Sequence, residues 1–84
     1  MNKDELKATL TELLTEVLKA RFDGAAYARL SRAHGYADGY MRALLDAGLK
    51  LESVREVFEY LREHVQEDVA SAHLVIDGNS VVLA

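Results

Sequence analysis

From Ala26 to Ala47, the residues Ala26, Leu30, Ala33, Ala37, Tyr40, Leu44 and Ala47 follow one another at steps of four and three without a miss. That period marks one face of an α-helix, since a side chain three or four places on lies one turn further along the same side. The seam is mostly alanine, and Ser31, Gly35 and Gly39 step four at a time on a neighbouring face. Side chains this small let another helix approach closely. The segment constrains the chain toward helix-on-helix packing and carries no layout of chemical groups.

The 84 residues, half of them apolar, predict a single small helical domain, 1–84, near the size at which a core within one chain becomes marginal. No cysteine is present, so neither a disulfide framework nor a thiolate metal site is available. Stability has to come from packing, within the chain or between copies, and a homo-oligomer, with a dimer favoured, is the expectation. The net charge is -4, with most of the acidic excess downstream, where Glu52, Glu56, Glu59, Glu63, Glu67 and Asp68 outnumber Lys50, Arg55 and Arg62. That balance gives no broad attraction to nucleic acid or to an anionic membrane. No apolar run approaches the roughly 18 residues of a spanning helix, and the first residues lack the zones of a signal peptide. The expectation is a soluble, cytoplasmic protein with no membrane contact.

The fold expected is mainly α: a bundle of three helices and a C-terminal β-hairpin at about 73–83. A first helix begins at Asn2, whose side chain suits a cap paired with Glu5. Leu6, Leu10, Leu13 and Val17 form its stripe, which Leu14 and Leu18 widen enough to face two neighbours. Asp23 reads as the N-cap of the second segment, which is either one long helix closed by Gly48 or two shorter ones broken near Gly35. The unbroken phase of the seam favours one helix, although two interior glycines each cost about 1 kcal/mol relative to alanine. A third helix starts near Leu51 to Ser53, with Ser53 and Glu56 as a second capping box. Val54, Val57, Phe58, Leu61, Val65 and Val69 are its apolar positions, and Arg55, Glu59 and Arg62 can pair on its solvent face. Leu74 to Ile76 and Val81 to Leu83, around Asp77-Gly78-Asn79-Ser80, read as a hairpin. Neither strand alternates apolar with polar, so both faces need cover, and the outer edges invite pairing with another chain.

Few groups could carry chemistry. His64, Glu67 and Asp68 have a spacing that could hold a divalent metal, but a solvated helix surface explains them more simply. His34 falls among Tyr27, Leu30, Ala37 and Met41 at helical spacing, which suggests a hydrogen-bonded, partly buried histidine rather than a catalytic base. Ser31, Ser53, Ser71 and Ser80 lie in no nucleophile context, and the glycines form no phosphate-cradling loop. No enzymatic activity, cofactor or metal is therefore expected. Tyr27, Tyr36, Tyr40 and Tyr60 are read as tyrosines of a helix interface.

The run Leu30-Ser31-Arg32-Ala33-His34-Gly35-Tyr36, followed by Met41 and Leu44, resembles the helix-turn-helix pattern of DNA-binding regulators over about twenty residues. The resemblance implies a turn at Gly35 and DNA contact through Arg29, Arg32 and Arg42. His34 stands where that pattern expects an apolar residue, and of the exposed positions in the would-be recognition helix only Arg42 is a strong base reader. The reading preferred from the residues is a homo-oligomeric protein-interaction or adaptor module, with a protein partner. Tyr36, Gly39 and Tyr40 would make close helix contact, and Val75, Ile76, Val81 and Val82 would assemble through the hairpin. A DNA-binding regulator is the alternative.

Overall fold

The computed structural model describes residues 2–65 and 73–83. Three helices, α1 (Lys3–Phe22), α2 (Tyr27–Asp46) and α3 (Leu51–His64), precede two strands, β1 (Leu74–Asp77) and β2 (Ser80–Leu83). The mainly helical class and the hairpin agree with the sequence pattern. Asn2 caps α1 as expected, its Oδ1 accepting from the Glu5 backbone N–H at 2.9 Å. Leu10, Leu14, Val17 and Leu18 are buried and Leu6 and Leu13 partly so, because α1 packs against both α2 and α3.

The central segment is a single helix that runs through Gly35 and Gly39. Its inward positions, Ala37, Met41 and Leu44, are buried, with Leu30, Ala33 and Tyr40 packed beside them. Both long helices end in the same way. Beyond α2, the Leu49 N–H donates to the Leu44 carbonyl and the Gly48 N–H to the Leu45 carbonyl, with Gly48 at φ +107°. This is the Schellman arrangement, in which a residue of positive φ lets the chain fold back and satisfy carbonyls the helix leaves free. Gly24 closes α1 with the equivalent bonds, Ala25 to Ala20 and Gly24 to Arg21.

Two cap assignments made from sequence differ. Asp23 is the C-cap of α1, and Ala26 precedes α2 without a side-chain cap. Lys50 precedes α3, also without one, while Ser53 is buried in the first turn. In both places a motif that fits a helix start falls a few residues away from where packing and the glycine turn set the boundary. α3 ends at His64 with Val65 as its C-cap; Val69 lies outside the described residues. Among the described residues Arg55, Glu59 and Arg62 form no ion pair with one another. Glu56 instead bonds Lys7 on α1 at 2.6 Å.

The hairpin pairs antiparallel, Leu74 with Leu83, Val75 with Val82, Ile76 with Val81 and Asp77 with Ser80, around a two-residue Gly78–Asn79 turn. Side chains alternate across the pleat, so Leu74, Ile76, Val81 and Leu83 share the face that packs on the helical core. Val75 and Val82 lie side by side on the other face, half-buried. β2 lies against α2 and β1 against α3. The hairpin thus occupies the side of the ring that a fourth helix takes in a four-helix bundle, and two short apolar strands gain the cover that an isolated hairpin lacks.

An unbroken α2 and its glycine closure have opposite consequences for two substitutions. Gly48→Ala, at positive φ, is expected to lower the unfolding free energy by about 1–2 kcal/mol. Gly35→Ala, inside the helix with open space around the added carbon, is expected to raise it by about 0.8–1 kcal/mol. Urea denaturation at a protein concentration where the chain is monomeric reads both, and a loss at Gly35 would then contradict the continuous helix.

Candidate interaction faces of the central helix

In an antiparallel pair, opposed residues alternate between those that exchange hydrogen bonds and those whose N–H and C=O point away. With Asp77 and Ser80 flanking the two-residue turn, Ile76–Val81 is a pair of the second kind. The backbone groups of Val81 therefore face outward from the hairpin, toward α2. Asp38 Oδ1 accepts from the Val81 N–H at 2.6 Å. His34, one turn back on α2, meets the Val81 carbonyl through Nε2 at 2.5 Å. A carbonyl only accepts, so the ring proton sits on Nε2 and Nδ1 stays free of that bond. One turn further on, Arg42 donates from Nε to Asp38 Oδ2 at 2.9 Å and from Nη2 to Ser80 Oγ. His34, Asp38 and Arg42 thus form a polar ladder at four-residue spacing that fastens β2 along α2.

The other edge is held more lightly. Leu74 and Leu83 are again an outward-pointing pair, and Arg62 donates to the Leu74 carbonyl at 3.2 Å. Edge groups expected to recruit another copy are at these positions occupied within the chain. Val81, 2% exposed, has its side chain in the core, and Ile76 packs against that core. Of the four hairpin residues singled out from sequence, Val75 and Val82 are those on the outer face.

The tyrosines divide. Tyr40 packs against the core, whereas Tyr27, Tyr36 and Tyr60 are 83%, 66% and 51% exposed. Tyr36 stands at the middle of α2 on a face shared with Arg32, Gly35, Gly39 and Ala43, all exposed. Among the described residues nothing lies within 4 Å of a carbon added at Gly35 or Gly39, and none of the described helices uses the close approach they permit. Arg29 and Arg32 are exposed and form no ion pair among the described residues, while Arg42 is engaged with Asp38 and Ser80. Because α2 continues through Gly35, no helix-turn-helix forms there, and the three arginines are not presented by a separate recognition helix.

His34 is half-buried and hydrogen-bonded, as its neighbours at helical spacing suggested. His64 stacks on Tyr60 with ring centres 4.3 Å apart, and its Nδ1 lies 2.9 Å from the Tyr60 carbonyl. Glu67 and Asp68, its partners in the metal spacing, lie outside the described residues. Among the described residues no group of three His, Asp or Glu side chains converges as a metal site would require. No helix among them is long and apolar enough to cross a membrane. The Lys7 ammonium bonded to Glu56 holds that carboxyl below its ordinary value. Its folded-state pKa being depressed, whatever the pair contributes is fully present above the ordinary glutamate range and is lost as pH falls through the lowered value. Both partners reach solvent, so salt screens it.

The chain matches no protein-family model, no curated protein and no solved structure. Its function has to be read from these faces.

Sequence reasoning picked out His34 and Arg42 separately and missed Asp38 as the hub between them. The available signal was the four-step spacing of three polar residues at the border of an apolar seam. Asp38→Ala is expected to destabilise the fold by about 1–3 kcal/mol, because it leaves the partly buried Val81 N–H without an acceptor. Arg42→Ala removes a more exposed pair and should cost less than about 1 kcal/mol. Chemical denaturation of the two variants separates them, and equal losses would show that the fastening does not run through the carboxylate.

Proposed function

We propose that this chain is a non-enzymatic interaction module that pairs with a second copy through the exposed side of α2. The observation that carries the reading is Tyr36, mid-helix and two-thirds exposed, beside two glycines above which space is open. Interior glycines disfavour a helix, and among the described residues nothing packs into the gap they leave. A second helix seated there would account for both.

A two-fold axis crossing α2 near its centre makes the contact isologous, so every contact between the copies occurs twice and the assembly closes as a dimer. With the two helices antiparallel and Tyr36 of one copy over Gly39 of the other, Arg32 comes opposite Ala43 and Arg29 opposite Asp46. The register sets an aromatic ring on a glycine at the centre and opposite charges at each end. Small side chains between them let the backbones approach closely. The Val75–Val82 pair on the outer hairpin face, and Tyr60 on α3, are left for a partner protein, and the assembled module is placed in the cytoplasm.

Light scattering over a concentration series tests the dimer. The full chain is expected to give twice the chain mass, and Gly39→Leu, which keeps the helix but fills the gap, to give a monomer. Arg29→Asp is expected to weaken pairing about tenfold, equivalent to roughly 1.4 kcal/mol. Adding Asp46→Arg to it should restore the wild-type value, because the charges are then exchanged rather than lost. A monomer throughout the series, or a dimer indifferent to Gly39→Leu, overturns the proposal. Salt-sensitive DNA binding lost on Arg29→Ala and Arg32→Ala would instead support a regulator.

A further inference from the structure

A different flank of α2 borders a cleft of about 220 Å³ between the end of α1, the start of α2 and the last residues of β2. Its floor is apolar, made by Val17, Leu30 and Leu83, and its polar wall is Arg21, Tyr27, Ser31 and His34. Among the described residues no carboxylate lines it. The other clefts described each include at least one: Asp4 and Glu56 beside Lys7, Glu59 beside Arg55 and Arg62, and Glu12 and Glu16 beside Lys19. In those, fixed negative charge already answers the cations. Arg21 forms no ion pair among the described residues. The helix that begins at Tyr27 has no side-chain cap bond at Ala26 among the described residues, so the field of its N-terminus adds to that of the guanidinium.

We propose that this cleft binds a small organic carboxylate, its anionic head at Arg21 and its apolar body on Val17, Leu30 and Leu83. A guanidinium presents a planar fork of donors that matches a carboxylate in a two-point contact. The hydroxyls of Ser31 and Tyr27 supply neutral donors beside it. His34 acts as a fixed wall, its ring anchored by the Val81 carbonyl. The volume is below the roughly 300–1,000 Å³ of sites for drug-sized ligands, which restricts the body to one ring or a short branched chain. The cleft opens on the flank of α2 that carries His34, and Tyr36 and Gly39 do not line it, so its occupancy does not require pairing of the chain.

The test is a titration of the full-length protein, labelled with ¹⁵N, with phenylacetate, followed by amide chemical shifts. Saturable shifts confined to the neighbourhood of Arg21, Ser31, His34 and Leu83 are expected. Phenylacetamide, the same size without the charge, should bind at least about tenfold more weakly. Arg21→Gln, an exposed substitution in the last turn of α1, should lose phenylacetate by a similar factor while its spectrum stays that of a folded protein. Gly39→Leu should bind as the wild type does, which separates this site from the dimer face. Shifts that stay linear to high concentration, amide and acid binding alike, or undiminished binding to Arg21→Gln would each overturn the proposal. Ser31→Phe, at an exposed helix position, gives a second check: a plugged cleft should not saturate, and unchanged binding would place the ligand elsewhere.

Discussion

The outward-facing backbone of Val81 is the constraint on which the rest of this structure depends. A two-stranded hairpin leaves two edges, and a partly buried N–H or C=O without a partner costs more than the bond it would make is worth. Here two side chains one turn apart on α2, His34 and Asp38, meet both groups of a single residue. The arrangement works only if α2 is a continuous helix through Gly35, since a turn there would rotate Asp38 and Arg42 away from the side His34 occupies. It also fixes which face of the hairpin turns inward. Shifting β2 by one residue would put Val82 in the core and leave Val81 outside. One polar ladder therefore ties together the helix, the strand register and the closure of the ring.

Once the ladder and the core are accounted for, α2 still has a free side. Its apolar seam is used inward and its polar flank is used by β2, whereas the face of Arg32, Gly35, Tyr36, Gly39 and Ala43 is exposed, with open space above both glycines among the described residues. Two glycines there lower helix propensity by about 1 kcal/mol each relative to alanine, with no positive φ and, among the described residues, no neighbour to require them. Gly24 and Gly48, by contrast, are explained by the turns they make. The difference between glycines that the fold needs and glycines that it merely tolerates is what points to a contact outside the chain.

The elements visible in the sequence are those set by local rules. The leucine stripe of α1, the Asn2 cap, the phase of the α2 seam and the turn between two β-branched runs each depend on residues a few places apart, and each is found where its pattern lies. What the sequence hid is set at long range. Asp23 and Ser53 carry cap chemistry, yet the nearby glycine turn and the burial of Ser53 place the helix boundaries elsewhere. Glu56 reads as the capping-box partner of Ser53 and instead reaches Lys7 on another helix. Asp38 offered no motif of its own; its role exists only because β2, more than forty residues on, arrives with Val81 in that register. Of the candidate faces, Tyr36 and Gly39 were visible as spacing, whereas the cleft at Arg21 needs three elements that no local pattern brings together.

The same ladder links the cleft to the hairpin without involving the pairing face. Leu83 forms part of the cleft floor and follows Val81 by two residues on the same face of β2, so its position is inherited from the bonds that Asp38 and His34 make. His34 belongs to both, since one ring nitrogen anchors the strand and the ring itself walls the cleft. Weakening the anchor would let the floor drift from its wall, while Tyr36 and Gly39, on the far side of a helix that α1 still supports, would keep their geometry. A small ligand that bridges Arg21 on α1 and Leu83 on β2 would act in the opposite direction, adding contacts only when the hairpin is seated. Binding there stabilises the closed ring by linkage, and does so from a flank of α2 that a second copy of the chain need not touch.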